Sequence, residues 1–322
     1  MKKRTMSAVL AACLVLVGFA SCKKEVEKAP EKHVYESVVD GKLFSISYCA
    51  EKGEGEEIVK YTDDEISNID KGAEKALVDK LSFLSAEYNG NISVISGYAD
   101  YVFDANEDVV KLMKELYALS DATMDKYKPV IAGTEEYKCS DIIEIGENKL
   151  IKHDKGAKVD LYGVAESYAL SFAVESVKSA GVDEAVLKYG NTVAKLDTKA
   201  EKTPTEAAVY YADGNMEADA TVKLSGGCIS TVTKNEKLTD PITGKDVNPS
   251  HNTVVVMSDD YFASSCLART FMEMNVKEIA ELYKNGAYKF EYIIVENDMS
   301  VIKSSGIGDL VSFAADSAEQ SE

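Results

Sequence analysis

The chain has 322 residues, and 45% of them are hydrophobic, which is enough to bury a large core as one domain or as two closely joined lobes. Its 55 acidic residues outnumber its 36 basic residues, so the formal net charge is -19 at pH 7. This charge repels nucleic acid and anionic lipid, and it argues against a nucleic-acid partner.

The N-terminus has the pattern of an export signal. Residues 2–4 are basic, residues 6–17 are apolar, and small residues lead to Cys22. A cysteine at this place predicts a bacterial lipoprotein: residues 1–21 are the signal peptide, Cys22 carries the lipid, and residues 22–36 are a charged, disordered tether. Two or three acyl chains would hold the protein stably on the extracytoplasmic face of a membrane. The alternative is an ordinary secretory signal in which the cysteine is incidental.

The remaining cysteines and the histidines argue against a zinc site and a disulfide framework. Four cysteines follow the signal peptide, at positions 49, 139, 228 and 266, and the three histidines are dispersed. No two cysteines form a CxxC pair. We therefore expect the cysteines mainly to fill the core.

Hydrophobic periodicity predicts strands and helices that interleave along the chain. The predicted strands are 34–50 (a hairpin with Asp40-Gly41 at its turn), 92–96, 140–151, 159–161, 184–191, 209–211, 220–224, 229–232, 253–257 and the hairpin 288–303. The predicted helices are 63–86, 106–120, 164–180 (ended by Gly181), 261–274 and 277–284. The order lacks a regular βαβ alternation, which favours the α+β class. Residues 311–322 are small and acidic and are predicted to be a disordered tail.

Two polar turns are the strongest candidates for a binding site. Asp160-Leu161-Tyr162-Gly163 is typical of an acidic strand end that turns through glycine into the helix 164–180, whose free N–H groups would face a phosphate. Farther along, Asp240-Pro241-Ile242-Thr243-Gly244 predicts a tight turn. Together the two turns suggest a flavin-nucleotide site. The plainer alternatives are that Asp160 only caps the helix and that Asp240 only starts a turn.

Five segments in collinear order, between about residues 40 and 306, resemble the bacterial FAD:protein FMN transferase family (ApbE-type). They are residues 81–96 with Ser93 in register, 120–125 with Asp125, 160–169, 187–191 and 240–244. The fold that the resemblance implies is a two-lobed α+β domain of mixed sheets over residues 37–310. The implied activity is Mg²⁺-dependent transfer of FMN from FAD to a serine or threonine hydroxyl of an acceptor flavoprotein. Some family members instead hydrolyse FAD to FMN and AMP.

The resemblance also assigns roles to individual residues. It gives catalytic positions to Asp160 and to Lys237, which stands where the family has a histidine. The residues that it places around the flavin nucleotide are Ser93, Asp125, Tyr162, Gly163, Glu166, Tyr189, Gly190, Asn191, Asp240 and Thr243. For several of these a structural role is the alternative: Tyr162 and Tyr189 as packing residues, Asp125 as a solvated loop carboxylate, Lys237 as a surface cation.

The implied Mg²⁺ site departs from the family pattern. The resemblance assigns it the backbone carbonyl of Ala165 and the side chains at 264 and 268, where Ser264 replaces an aspartate and Ala268 a threonine. Losing such contacts weakens metal and diphosphate binding, at roughly 1.5–3 kcal/mol for each hydrogen bond to a charged group. The alternative functions are therefore a non-catalytic surface lipoprotein of the same fold that binds flavin or a partner protein, and a purely structural lipoprotein.

Overall fold

The computed structural model describes residues 31–39, 42–50, 92–95, 98–105, 107–132, 137–154, 157–159, 164–179, 181–212, 217–238, 240 and 245–314. Its strands are, in chain order, β1 (Glu31–Val39), β2 (Lys42–Ala50), β3 (Ile92–Ile95), β4 (Tyr98–Asp104), β5 (Val130–Ile131), β6 (Ile143–Ile145), β7 (Lys149–Lys152), β8 (Lys158–Val159), β9 (Glu184–Tyr189), β10 (Thr192–Asp197), β11 (Thr205–Val209), β12 (Ala220–Leu224), β13 (Gly227–Thr233), β14 (Thr253–Ser258), β15 (Glu291–Val295), β16 (Val301–Lys303) and β17 (Val311–Phe313).

Five α-helices lie within the described residues: α1 (Glu107–Ala122), α2 (Cys139–Ile142), α3 (Val164–Ser179), α4 (Tyr261–Phe271) and α5 (Val276–Asn285). A short 3₁₀ turn, Gly308–Leu310, precedes β17. Of these helices, none combines the length and the apolar character needed to cross a membrane.

A large antiparallel sheet organises the molecule. Its eight strands lie in the order β1-β2-β9-β10-β13-β14-β15-β16, and each neighbouring pair is antiparallel. Three smaller sheets accompany it: β11-β12-β17, β3-β4-β7-β6 and the pair β5-β8. Helices α3 and α4 pack on the large sheet, whereas α1 lies beside β6 of the four-stranded sheet. The predicted α+β class is confirmed, and each strand pairing among the described residues is antiparallel.

Both faces of the central strands are buried, and this explains their continuous apolar sequence. Along β14, Val254 and Val256 belong to the core beneath the helices, while Val255 and Met257 face the core under the three-stranded sheet. Because side chains alternate between the two faces of a strand, both sets must be apolar when both faces are covered. β15 repeats the arrangement, with Ile294 on the helix side.

Local sequence signals set the helix ends. Asp260 is the N-cap of α4, and its carboxylate accepts a hydrogen bond from the Ala263 N–H at 3.0 Å. Asn275 and Glu278 form a capping box at the start of α5. As predicted, Gly181 follows the end of α3, with a φ of +86° that a residue with a Cβ rarely adopts.

Most of the predicted elements within the described residues are confirmed, with shifts at their ends. Strand β10 was not predicted, and the run expected at 209–211 lies at Thr205–Val209. Part of the segment 140–151 is the helix α2 rather than a strand. The helix predicted at 63–86 lies outside the described residues.

Two predicted boundaries are wrong. Residues 31–36, assigned to the tether, belong to β1 because they pair with β2. Residues 311–313, assigned to the disordered tail, form β17 because they pair with β12 and bury Val311. The signal peptide, Cys22 and residues 315–322 lie outside the described part of the chain.

Candidate functional site

The end of α1 forms a tight turn that holds Asp125 in place. The Thr123 hydroxyl donates back to the carbonyl of Ser120 at 3.0 Å and accepts the Tyr127 N–H at 3.1 Å. Met124 and Asp125 both adopt positive φ, 53° and 60°. A left-handed backbone is costly for a residue such as methionine, so the surrounding bonds must impose it. The Ser120 hydroxyl donates to the Asp125 carboxylate at 3.2 Å.

Tyr137 lies beside this turn and joins it to a distant part of the chain. Its hydroxyl donates to the carbonyl of Val130, and its ring lies under the Lys128 ammonium, 4.2 Å from the ring centroid. Burial raises the pKa of Tyr137, and the nearby Cys139, Asp240 and Asp125 raise it further. Two carboxylates predicted for the flavin site, Asp125 and Asp240, thus both raise the pKa of the same phenol.

Asp240 stands at the mouth of the predicted turn. Its N–H donates to the carbonyl of Lys245 at 2.9 Å, and the Val247 N–H donates to the carbonyl of Leu238 at 2.9 Å. These two bonds bring the ends of the segment together, as a turn requires. Thr243 at the tip lies outside the described residues.

The Gly190–Asn191 turn, between β9 and β10, contacts the chain that leads to Asp240. Gly190 has a φ of +56°, and its N–H donates to the carbonyl of Leu43 at 3.2 Å. The Asn191 side-chain amide donates to Glu236 at 2.9 Å. Glu236 also accepts the Thr233 N–H, so it fixes the loop that follows β13. Two segments with predicted flavin residues, the Gly190–Asn191 turn and the chain that leads to Asp240, thus contact each other.

A network of buried hydroxyls lies between α4 and the large sheet. Ser264 donates to the Ser230 hydroxyl at 2.7 Å and lies 3.2 Å from the Val256 carbonyl. Ser230 is also 2.9 Å from the Ser265 hydroxyl and 3.1 Å from that of Thr192. All four hydroxyl residues are buried, so each depends on the others for its hydrogen bonds.

The ApbE family model matches residues 87–294, well over half of the chain and every described site segment. The chain belongs to the ApbE family. This match confirms the resemblance drawn from the five motifs. A comparison with curated proteins gives no match.

Solved structures of ApbE proteins have the same fold. Flavin transferase ApbE from Vibrio cholerae has a TM-score of 0.68 at 15% identity, over 87% of this chain and 99% of that one. Flavinyl transferase ApbE from Pseudomonas stutzeri, in its apo form, has 0.65 at 13%, over 88% and 99%. The ApbE protein from Thermotoga maritima has 0.65 at 17%, over 87% and 99%. At these identities the likeness establishes the fold.

Tyr189 is a core residue of this ApbE protein. It is 2% exposed, and its ring packs edge-on against Phe44 with centroids 5.9 Å apart. The prediction that Tyr189 contacts the flavin is therefore wrong, because strand alternation turns its side chain into the helix-side core. Lys237, by contrast, is 77% exposed and lies 3.3 Å from Asp246, as a surface cation would.

The described residues at the implied metal position do not fit Mg²⁺. Ser264 is fully buried and its hydroxyl is engaged by Ser230, and Ala268 offers only a methyl group to the core. Mg²⁺ requires oxygen ligands, carboxylates among them, in a near-octahedral arrangement. Across the part of the chain that the structure describes, no cluster of three or more His, Cys, Asp or Glu could hold a metal ion. The prediction of Ser264 and Ala268 as ligands is wrong.

Several predicted site residues stay predictions. Asp160, Tyr162, Gly163 and Thr243 lie outside the described residues. The side chains of Ser93 and Glu166 lie outside them too, although Ser93 is placed opposite Asp100 in β4, and Ala165 and Glu166 fall in the first turn of α3.

Two residues of the site were not predicted. Lys128 and Tyr137 flank Asp125, and the Lys128 ammonium also donates to the Tyr137 carbonyl at 3.0 Å. The only sequence signal at Lys128 was an irregular, positively charged segment between predicted elements, and Tyr137 had none.

A separate groove of about 640 Å³ lies between α1, α3 and the start of α4. Its walls carry Glu115, Glu175, Asp259 and Asp260, with Lys111 beside them, and of the predicted flavin residues that the structure describes, none lines it. Burial raises the pKa of Glu115, while Lys111 lowers it and Asp260 raises it. So many carboxylates repel a diphosphate.

Proposed function

We propose that this protein is a flavin transferase that acts on FAD and delivers FMN to a serine or threonine hydroxyl of an acceptor flavoprotein. Membership of the ApbE family supports the proposal, as do the neighbours named flavin or flavinyl transferases. The structural observation that carries it is the contact between two predicted flavin segments: Asn191 donates to Glu236, and the same stretch of chain closes the turn at Asp240.

In the proposed reaction the acceptor hydroxyl oxygen attacks the phosphorus of the FMN half of FAD. A phosphate ester forms to the acceptor, the bond to the bridging oxygen of the diphosphate breaks, and AMP leaves while the hydroxyl proton is released. If water attacks instead, the products are FMN and AMP.

The charge of each group indicates which part of FAD it binds. Carboxylates repel phosphate and accept hydrogen bonds from hydroxyls and ring N–H groups, so we assign Asp125 and Asp240 to the ribityl or ribose hydroxyls or the ring edge. The first turn of α3 begins at Val164, and we assign its backbone N–H groups to the diphosphate. Because Ser264 and Ala268 do not form a metal site, no step of the proposal is routed through a divalent cation.

The burial of Ser264 and Ala268 favours a second candidate: a flavin-binding protein of the same fold that holds FAD without transferring FMN. Both candidates require FAD binding and differ only in turnover. A partner-binding or purely structural lipoprotein would bind no FAD.

The two candidates are separated by a turnover assay. The purified chain is mixed with FAD and a threonine-bearing acceptor segment, in EDTA or in millimolar Mg²⁺, and AMP release and acceptor-bound flavin fluorescence are followed. The same segment with valine in place of threonine is the control. Flavin on the threonine segment alone supports the transferase, whereas bound but intact FAD supports the binding protein. An absence of FAD binding by calorimetry contradicts both.

Substitution of the two carboxylates tests the site itself. Asp125→Asn and Asp240→Asn should each weaken FAD binding about tenfold, on the scale of one hydrogen bond to a charged group at roughly 1.5–3 kcal/mol. Asp121→Asn, an exposed residue on the last turn of α1, is the matched control and should bind FAD as the parent chain does. Equal affinities for all three variants would place the nucleotide elsewhere.

We further propose that a lipid on Cys22 holds the protein at the extracytoplasmic face of the membrane, where a membrane flavoprotein would be its acceptor. The small residues before Cys22 support this placement. Cys22→Ser should move the protein from the membrane fraction to the soluble fraction. Equal membrane association of the variant and the parent chain would contradict the lipid anchor.

A further inference from the structure

One face of the β1–β2 hairpin carries three exposed apolar side chains, together with the exposed Glu36 between Val34 and Val38. Val34 is 57% exposed, Val38 is 69% exposed and Leu43 is 44% exposed. The register places Val38 opposite Leu43, and Val34 lies four residues before Val38 on the same strand, so the three side chains share one face. We call these three residues the hairpin face. The other face of the hairpin carries Phe44, which is buried in the core.

The three-stranded sheet covers the rest of this sheet face, but it does not extend over the hairpin. The three-stranded sheet packs over Ile229 and Val255 and reaches Val193 on β10. Towards β1 the side chains on this face become more exposed, from Val186 on β9 to Val34 and Val38. Val38 and Leu43 lie directly opposite each other at the turn end of this edge hairpin. Adjoining exposed apolar side chains at a sheet edge are unusual in a soluble monomer and indicate a surface that is covered in use.

The chain that precedes β1 indicates what covers the hairpin face. Only eight residues separate Cys22 from Glu31, the first residue of β1. A fully extended chain spans at most about 3.6 Å per residue, so a lipid on Cys22 keeps the start of β1 within roughly 30 Å of the bilayer. Lys32 is exposed on the same face as Val34, and its ammonium suits a phospholipid headgroup layer.

We propose that the hairpin face rests on the membrane surface and directs the Gly190 turn towards a membrane-bound acceptor. The Gly190 N–H donates to the carbonyl of Leu43, so the predicted flavin turn is fixed directly to the hairpin. Apolar side chains that enter the headgroup layer leave water, and the lipid anchor removes most of the entropy cost of each contact. The proposal rests on the proposed lipid anchor and deepens the proposed transferase function.

The chain contains no tryptophan, so one introduced tryptophan reports its own surroundings. Val38→Trp places the probe on the hairpin face. Val301→Trp is the matched control, because Val301 is also an exposed valine (40%) but lies on β16, at the opposite edge of the same sheet. The lipidated variants are reconstituted into phosphatidylcholine vesicles that contain phosphatidylcholine with brominated acyl chains.

Val38→Trp should give blue-shifted emission that the brominated lipid quenches, whereas Val301→Trp should show neither effect. Equal emission and quenching of the two variants would overturn the proposal. So would a blue shift of Val38→Trp that depends on protein concentration without lipid, because a second copy would then cover the face. Leu43→Trp repeats the test from β2, and thermal unfolding checks that each variant is folded.

A second measurement separates this proposal from the proposed function. Val34→Ser combined with Val38→Ser should abolish the quenching of a Leu43→Trp probe while leaving the affinity for FAD unchanged. If no variant or parent chain binds FAD, the proposed function fails, and the quenching experiment still decides whether the hairpin face meets the membrane.

Discussion

At the scale of single residues, position 264 shows how one side chain changes the chemistry available to a site. The family resemblance expects a carboxylate there, and this chain has a serine whose hydroxyl donates to Ser230. The neighbouring Cys228 belongs to the same environment: burial raises its pKa to about 12, although a hydrogen bond with Ser264 opposes the shift. Such surroundings keep the thiol protonated and disfavour any buried anion.

Ser264→Asp should therefore destabilise the protein, and millimolar Mg²⁺ should not restore it. The new carboxylate would be buried without a positively charged partner, which costs more than the hydrogen bond that it replaces. Ser264→Ala is the control at the same position, with an expected cost of about 1–3 kcal/mol for the partners left unsatisfied. Urea unfolding with and without Mg²⁺ measures both. A Mg²⁺-dependent gain in the stability of Ser264→Asp would show that this position can hold a metal.

At the scale of secondary-structure elements, β10 shows why periodicity predicts some strands and misses others. Its Lys195 is buried, with the ammonium 2.5 Å from the Glu184 carboxylate on the neighbouring strand β9. A lysine in a buried position interrupts the apolar pattern that predicts a strand. The ion pair with Glu184 on β9 is what compensates the burial of its charge. By contrast, β14 shows its burial pattern within a few consecutive residues, and so does helix α4, which Asp260 caps. The local sequence therefore predicts both elements.

Glu184 should make the stability of the protein depend on pH. Burial raises its pKa, but hydrogen bonds from Lys195 and Lys199 prevail, so the pKa lies below its usual value of 4.5. A lowered carboxylate pKa contributes stability that is present above 4.5 and is lost as the pH falls through the folded-state pKa. Glu184→Gln should therefore be less stable than the parent chain at neutral pH, by an amount that shrinks in acid.

Urea unfolding at a series of pH values checks this dependence. Glu206→Gln on β11 is the control, because Glu206 is exposed and should leave the stability unchanged at every pH. A destabilisation by Glu184→Gln that is the same in acid as at neutral pH would mean that the lost stability comes from packing and not from the ion pair.

At the scale of the whole molecule, the sequence predicts features that depend on one short segment. It misses features that form only when distant segments come into contact. The α+β class, the Gly181 helix end and the turn at Asp240 follow from local pattern. The contact between Lys128 and Tyr137 and the hydrogen bond between Asn191 and Glu236 do not, because their partners meet only after the sheets and helices have packed. The core under the three-stranded sheet is a further case: it needs β17, whose three residues have no local signal of their own.

The C-terminal boundary tests how that second core is completed. A chain that ends at Leu310 loses β17, which pairs with β12 and places Val311 in the core, so its free energy of unfolding should fall by on the order of 3 kcal/mol. A chain that ends at Ala314 keeps the strand and should match the full-length chain. Urea unfolding followed by far-ultraviolet circular dichroism compares the three. Equal midpoints for the two truncations would mean that β17 adds no stability and that the three-stranded sheet is held by β11 and β12 alone.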